Sequence, residues 1–372
     1  MVSNTSFEKL NPAPSSGDAD LKKWLSWGYL VLGLLLVWRL VYIGSGFIEL
    51  SGDEALYWLQ FKHPALSYYS KPPLTALTIG LGTTLFGTHD FGVRFFSPVI
   101  SFILGLVCLR FCARELNARL GFALVLITNA TPLLIVGANL MTIDPISVLG
   151  WTLAMLCGWR AIQPNGRTLD WVWVGFWMGV GFLSKYTGLF QLLSWAVFFA
   201  LWRPARAHLR RPGPYLALLV NFLLLLPVLI WNAQHDWITV THVGGRADFG
   251  RITDFTTRYF FEFLGAEAGL LNPIFFVGMA WAAIACWRAR PLDLRMVYFC
   301  SMGLPLVFAY TLQSFHARVL PNWIVPAVLP QMFVMLIYWD QYRNRLWVRR
   351  AYYTGLGLGV VAAIFLTDTG IV

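Results

Sequence analysis

The sequence predicts an all-α protein, a polytopic transmembrane helical bundle of about eleven spans. Three observations lead to this fold class. The 372 residues are 58% hydrophobic and 12% charged, and soluble domains carry about twice that charged fraction. Several apolar stretches approach the roughly 20 residues that a helix needs to cross the hydrocarbon core. The net charge is +10, and the basic residues cluster between apolar stretches, as they do in the loops of membrane proteins.

The candidate spans follow one another along the whole chain, and several are short enough to predict tilted or broken helices. One further apolar run, residues 74–87, is ambiguous. If it crossed alone, every later segment would change sides, and the distribution of basic residues argues against that. The candidate spans lie near residues 25–45, 92–113, 119–138, 145–162, 171–183, 187–202, 215–233, 272–288, 296–312, 322–339 and 351–367.

The positions of Lys and Arg predict a cytoplasmic N-terminus, because most of the 28 then lie in cytoplasmic loops. This orientation divides the chain into a cytoplasmic tail, residues 1–24, and a transmembrane domain, residues 25–372. Its main outer loops are residues 46–91 and 234–271. The first apolar segment is too long for a signal-peptide core, so it predicts an uncleaved anchor. The compact loops favour a bacterial protein of the inner membrane.

Other function classes find little support in the sequence. Nucleic-acid binding is excluded because the basic clusters alternate with apolar segments instead of forming one basic surface. The five cysteines form no CxxC pair, which favours small buried residues over a metal site or disulfides. The chain contains no GxxxxGK[ST], HExxH or GxSxG motif.

An acidic pair, Asp53 and Glu54, follows the first apolar segment and opens a predicted amphipathic helix over residues 53–61. Its apolar arc holds Ala55, Leu56, Trp58 and Leu59, and its polar arc holds Asp53, Glu54, Tyr57 and Gln60. Such a helix would lie along the membrane interface. Carboxylates held at a membrane surface cost free energy, so a functional role such as a general base is expected. The alternative is that the pair only stabilises the N-terminus of the helix.

Two lysines have the surroundings of phosphate ligands. Lys71 precedes Pro72 and Pro73, which stiffen the loop, and Lys185 lies between two apolar runs after Gly181. A cation at the level of the lipid headgroups suits a phosphate. The alternative is that each lysine only extends its ammonium group towards the membrane surface.

Asp144 precedes Pro145 and therefore has the pattern of a helix cap followed by proline at the first helical position. The functional alternative is a second carboxylate that faces Asp53 and contacts a metal or the acceptor. Arg318 can grip a phosphate with two parallel hydrogen bonds, although it could equally anchor the chain at the interface.

His235 and His316 are the histidine candidates for substrate binding, although the step from His235 to Asp236 is also typical of a loop turn. With the N-terminus in the cytoplasm, all of the unusual residues fall at the outer face, from different connections. The sequence therefore predicts one extracytoplasmic site of converging loops. Its members are Asp53, Glu54, Lys71, Asp144, Lys185, His235, His242, His316 and Arg318.

Six short stretches, in this order along the chain, resemble the polytopic GT-C type glycosyltransferases. The nearest match is glycosyltransferase family 39, which includes protein O-mannosyltransferases and is related to bacterial lipid A aminoarabinose transferases. Each stretch alone is unspecific, whereas the ordered set covers about residues 25–340. The stretches are GDEA (52–55), YSKPP (69–73), TIDP (142–145), LSKYTG (183–188), PVLIWN (227–232), followed by His235, and LPNW (320–323).

The resemblance implies a GT-C-like fold and the transfer of a sugar from a polyprenyl-phosphate carrier to an acceptor protein, lipid or glycan at the outer face. It makes Asp53 the catalytic base and Glu54 a residue that orients the acceptor or Asp53. Lys71 and Lys185 become ligands of the carrier phosphate. Asp144 becomes the second acidic residue, and Arg318 a basic residue near the phosphate.

Three alternatives stay open at this point. A divalent cation could share the work on the phosphate, but the spacing of Asp53, Asp144, His235 and His316 identifies no metal. A transporter or flippase of lipid-linked sugars would also need many spans, although it should show internal repeats. A catalytically inactive subunit is the third reading. Family members usually run longer, so acceptor recognition is expected to rest on the loops or on a partner.

Overall fold

The computed structural model describes residues 18–246, 255–288 and 291–367. These residues form helices and connecting loops, so the predicted all-α fold is confirmed. The helices up to residue 184 are α1 (Asp18–Gly44), α2 (Gly52–Lys62), α3 (Leu74–Phe86), α4 (Asp90–Arg94), α5 (Phe96–Glu115), α6 (Ala118–Thr128), α7 (Pro132–Gly137), α8 (Asp144–Ala161) and α9 (Thr168–Ser184).

The second half continues in the same way, with 3₁₀ turns at Tyr186–Leu189, Arg203–Arg210 and Pro321–Ile324. Most of the predicted N-terminal tail and residues 247–254 of the second outer loop lie outside the described residues. The helices are α10 (Phe190–Leu201), α11 (Pro212–Gln234), α12 (Ile238–Arg246), α13 (Arg258–Leu270), α14 (Pro273–Arg288), α15 (Leu294–Gln313), α16 (Val325–Gln341) and α17 (Leu346–Thr367).

Every candidate span falls on a helix or a broken helix. Within the described ranges, six helices are long and apolar enough to cross a membrane, and the pair α13 and α14 would add a seventh if its 110° bend lay within one span. The other candidate spans fall on shorter or interrupted helices, such as α6 and α7. The ambiguous run forms α3, whose 13 residues reach only about 20 Å, so it is too short to cross alone.

The core is built around α16, whose side chains are buried almost throughout. α16 packs against α8, α14 and α15, and α9 packs between α8 and α11. By contrast, α1 and α17 carry exposed apolar side chains such as Leu34 and Val360, as expected for helices that face lipid. This arrangement brings the start of α8, the end of α9 and the turn before α16 together at one end of the bundle.

The predicted amphipathic helix is present as α2, and its two arcs have different surroundings. Leu56 and Leu59, on the predicted apolar arc, are exposed, while Glu54 and Tyr57, on the predicted polar arc, are buried against the bundle. An interfacial helix turns its apolar arc to lipid. Part of the polar arc, Glu54 and Tyr57, therefore faces the protein, while Asp53 on the same arc stays exposed.

Close contact between α9 and α11 depends on Gly175. A methyl group added there would collide with the backbone carbonyl oxygen of Ala217, which cannot move aside as a side chain can. We expect Gly175→Ala to destabilise the protein by about 1–3 kcal/mol or more, measured as a lower melting temperature in detergent. Gly33→Ala is the matched control, because a methyl group there meets nothing within 4 Å. Equal melting temperatures for the two variants would contradict this packing.

Candidate active site

A buried polar cluster joins three of the converging segments. Lys185, the C-cap residue that follows α9, is 5% exposed, so its ammonium group does not extend to the membrane surface. Its Nζ donates to Asp144 Oδ1 at 2.6 Å and to the carbonyl oxygen of Asn322 at 2.5 Å. The Asn322 amide donates to Asp144 Oδ2 at 3.1 Å. Such a buried ion pair persists only when further hydrogen bonds satisfy its remaining groups, as they do here.

Asp144 is not the helix cap that the Asp-Pro pattern suggested. It is the first residue of α8, and the preceding Ile143 occupies the cap position without a side-chain hydrogen bond. The Asp144 backbone N–H donates to the Thr142 hydroxyl at 3.3 Å. Its carboxylate is consequently available to Lys185 and Asn322, and the cap interpretation is wrong.

Glu54 forms a second buried ion pair. Its carboxylate is 0% exposed and accepts hydrogen bonds from Arg94 Nε and Nη2, both at 2.8 Å. It also accepts from the backbone N–H groups of Ser51 and Met141, both at 3.0 Å, and with Ser51 it forms a capping box at the start of α2. Burial raises the pKa of the Glu54 carboxyl, but Arg94 and these hydrogen bonds outweigh it and hold the pKa below its ordinary value.

Asp53 precedes this buried residue and is exposed. One turn later lies Tyr57, which is 1% exposed and whose hydroxyl has no hydrogen-bond partner within the part of the chain that the structure describes. Burial raises the pKa of Tyr57, and the charges of Asp53 and Asp144 raise it further. The charges of both carboxylates therefore act on one neutral hydroxyl, which keeps its hydrogen available to donate.

The loop that carries Lys71 is fastened to the same cluster. The Lys71 carbonyl accepts from the Tyr68 N–H at 3.2 Å, which closes a turn. After the two prolines, the Thr75 hydroxyl lies 3.2 Å from that of Ser184, which in turn donates to the Ile143 carbonyl at 2.7 Å. Lys71 is half-buried. These hydrogen bonds fix its loop against the residues next to Asp144 and Lys185.

Helix α12, from the second predicted outer loop, lies over the Lys71 loop. Its Thr239 hydroxyl donates to the Tyr68 carbonyl at 3.3 Å, and the His242 ring lies 4.4 Å from that of Tyr69. The loop is therefore held between the polar cluster on one side and α12 on the other.

The remaining candidates lie outside this cluster. Arg318 is exposed and lines a groove of about 540 Å³ together with Arg258 and Glu262. His235 stacks on Trp231 with ring centres 4.0 Å apart, at the end of α11. His316 is half-buried, and its Nδ1 is buried without a partner among the described residues. Across those residues, no three His, Cys, Asp or Glu side chains come together in a way that could hold a metal ion.

Some residues of the site were not predicted from the sequence, among them Tyr57, Arg94, Ser184 and Asn322. Tyr57 follows Asp53 by four positions, and this helical spacing was the one signal that could have indicated a shared site. Arg94 and Ser184 gave no comparable signal, because their partners Glu54 and Thr75 are distant in sequence. Asn322 lay within a family-like stretch without an assigned role.

Comparison with known proteins identifies related sequences. Residues 70–231 match the model of the family described as dolichyl-phosphate-mannose-protein mannosyltransferase. The chain is 32% identical over 304 residues to the lipid A galacturonosyltransferase RgtD of Rhizobium johnstonii, a match that covers 80% of this chain and 62% of that protein. The chain is related to these glycosyltransferases. The resemblance predicted from the sequence is thereby confirmed.

A second relative and a solved structure extend the comparison. The undecaprenyl phosphate-α-4-amino-4-deoxy-L-arabinose arabinosyl transferase of Pseudomonas aeruginosa is 27% identical over 77% of this chain and 52% of its own length. The crystal structure of ArnT from Cupriavidus metallidurans bound to undecaprenyl phosphate superimposes with a TM-score of 0.68 at 18% identity, over 94% of this chain and 65% of that chain. The GT-C-like fold is therefore confirmed, and the chain spans about half to two-thirds of the length of these relatives.

Proposed function

We propose that the protein is a membrane glycosyltransferase that moves a sugar from a polyprenyl-phosphate carrier to a lipid acceptor at the outer face of the bacterial inner membrane. The observation that supports this most strongly is that carboxylates and lysines come together at one end of the bundle. Burial and the charges of Asp53 and Asp144 raise the pKa of Tyr57, and the Lys71 loop is fastened to the residues next to Asp144 and Lys185. A sugar phosphate needs a base for its acceptor and cations for its leaving group.

The cations act on the leaving group, which is a lipid phosphate that departs as an anion. Lys71 contacts this phosphate from its stiffened loop. Lys185 is held by Asp144 and Asn322, and a phosphate would exchange for the contact with the Asn322 carbonyl. Arg318 adds positive charge from the neighbouring groove. Charges fixed in place before the reaction stabilise the growing negative charge without reorganisation.

The carboxylates act on the acceptor. Asp53 removes the proton of the attacking hydroxyl as it approaches the anomeric carbon, and a single displacement by this route inverts that carbon. Tyr57 donates a hydrogen bond to the bound sugar or acceptor. Both oxygens of Glu54 are occupied by Arg94 and backbone N–H groups, so its role is to position Asp53 by fixing the first turn of α2.

The names of the relatives support a choice of acceptor class. One of them is named as a lipid A galacturonosyltransferase, and another is named for an undecaprenyl phosphate-linked sugar. We assign undecaprenyl phosphate sugars as donors and lipid A as the acceptor. The test is to reconstitute the purified protein with lipid A and a panel of these donors. Lipid A that gains the mass of one sugar supports the proposal, and unchanged lipid A with every donor contradicts it.

Lys71→Gln is expected to raise the KM for the donor by about tenfold or more, because a hydrogen bond to a charged group contributes roughly 1.5–3 kcal/mol. The matched control is Lys62→Gln, which removes an exposed lysine at the end of α2 that lies over the ring of Trp58. Initial rates over a range of donor concentrations give both values. The same KM in the two variants would remove Lys71 from the phosphate site.

A further inference from the structure

A buried arginine in α1 has no role in the proposed reaction. Arg39 lies five residues before the end of α1 and is 5% exposed. Its Nη1 donates to the Ser101 hydroxyl at 3.0 Å, and its Nη2 donates to the Asn129 side-chain oxygen at 2.6 Å. The guanidinium therefore points into the bundle, towards α5 and the end of α6. An arginine that extends to the membrane surface would leave its head exposed.

This cation lacks a carboxylate partner among the residues that the structure describes. Both of its hydrogen-bond partners are neutral, and its Nε is buried without an acceptor. A guanidinium has five N–H donors, so most of its capacity to donate is unused. Burying a charge without a counter-ion is costly, and charged residues within membrane helices are usually paired or functional. The site is therefore incomplete without an anion.

A cavity of about 230 Å³ begins at the two partners of Arg39. Both partners, Ser101 and Asn129, line it, and so do Asp144 and Asn322 of the polar cluster. Most of the remaining wall is apolar, from residues such as Leu104 and Leu133. The Ser101 oxygen accepts from Arg39, which leaves its hydrogen to donate into the cavity. The cavity thus combines polar side chains that contact the buried Arg39 with walls suited to a hydrocarbon chain.

We propose that Arg39, together with Ser101 and Asn129, binds the phosphate group of a lipid whose hydrocarbon chain occupies this cavity. Arginine suits phosphate because its planar donors form two parallel hydrogen bonds to the oxygens. The bound anion supplies the missing counter-ion. Two sources carry this chemistry: an acyl lipid of the membrane and a polyprenyl phosphate. The inference concerns binding alone and holds whether or not the protein transfers a sugar.

The test measures lipid binding to the purified full chain in neutral detergent, by native mass spectrometry and by the rise in melting temperature with added lipid. The probes are phosphatidic acid, undecaprenyl phosphate and, as the uncharged comparison, diacylglycerol. Both phosphate lipids are measured in a Lys71→Gln background, so that the proposed carrier site contributes little. Arg39→Gln removes the charge, Arg39→Lys keeps it, and Arg110→Gln removes an exposed arginine that contacts Tyr29 of α1.

Arg39→Gln is expected to weaken binding of a phosphate lipid by about tenfold or more, with diacylglycerol unaffected and Arg39→Lys intermediate. The melting temperature without lipid should stay the same or rise, since the variant removes an unpaired buried charge; a purely structural arginine would lower it. If Arg39→Gln loses binding of phosphatidic acid alone, the ligand is an acyl lipid of the membrane. If it loses binding of undecaprenyl phosphate alone, the ligand is the polyprenyl carrier. Unchanged binding of both phosphate lipids, or equal loss for diacylglycerol, overturns the proposal.

Discussion

Replacing Asp53 by asparagine is expected to lower kcat for sugar transfer by about 10²–10⁴-fold, the usual contribution of a general base. Asparagine keeps the shape of the side chain but cannot accept the proton of the attacking hydroxyl. Because Asp53 is exposed, the variant should fold as the wild type does and bind the donor with similar affinity. Single-turnover measurements with saturating donor and acceptor separate the chemical step from binding.

The control for this variant is Glu49→Gln. Glu49 is an exposed acid that precedes α2, and its backbone carbonyl, which the substitution keeps, accepts from Arg94. The Glu49→Gln variant should keep full turnover, which would show that losing a negative charge near the start of α2 is not sufficient to stop the reaction. If Asp53→Asn turns over as fast as Glu49→Gln, Asp53 is not the base.

Replacing Glu54 by glutamine is expected to have the largest effect on stability. The change leaves Arg94, which is 2% exposed, without its counter-ion. Removing one partner of a buried ion pair costs about 3–5 kcal/mol, which should appear as a clear fall in the melting temperature. Glu262→Gln breaks the exposed pair of Glu262 and Arg258, and such a surface pair contributes only about 0–1 kcal/mol. Similar melting temperatures for both variants would contradict the buried pair.

The same pair predicts a pH dependence of stability. The folded state holds the pKa of Glu54 below its ordinary value of 4.5, so the ionised carboxylate stabilises the folded protein above that pH. The stabilisation is lost as the pH falls through the folded pKa. The difference in melting temperature between wild type and Glu54→Gln should therefore be full near neutral pH and shrink below about pH 4.5. A constant difference down to pH 3 would show that the charge is not responsible.

The helices could be predicted because apolar length is a local property of the sequence. Each candidate span fell on a helix, and the ambiguous run formed the short helix α3. The breaks were harder to place. The segment 119–138 divides into α6 and α7, and the bend between α13 and α14 occurs at Asn272, whose φ is +67°. That amide donates to the carbonyls of Ala130 and Gly355, which are distant in the chain, so no local pattern reveals the bend.

The candidate site was likewise only partly predictable from the sequence. Asp144 and Lys185 were singled out as unusual residues, but only the fold pairs them across 41 positions. Arg318 was grouped with the lysines because it shares their charge and predicted side. The structure places it in a groove with Arg258, outside the hydrogen-bonded cluster of Asp144 and Lys185. The sequence identifies the apolar and polar arcs of α2 but does not show which residues of each arc are buried against the bundle. Sequence patterns therefore indicate which residues matter before they indicate what each one contacts.

The most direct test of the account is the release of undecaprenyl phosphate by the purified wild-type protein, measured with and without lipid A. A transferase that uses a single displacement releases the carrier only when an acceptor is present to attack. We predict release that increases with lipid A concentration and disappears in Asp53→Asn. Tight donor binding without release at any lipid A concentration would contradict the account and would favour a carrier that moves lipid-linked sugars instead.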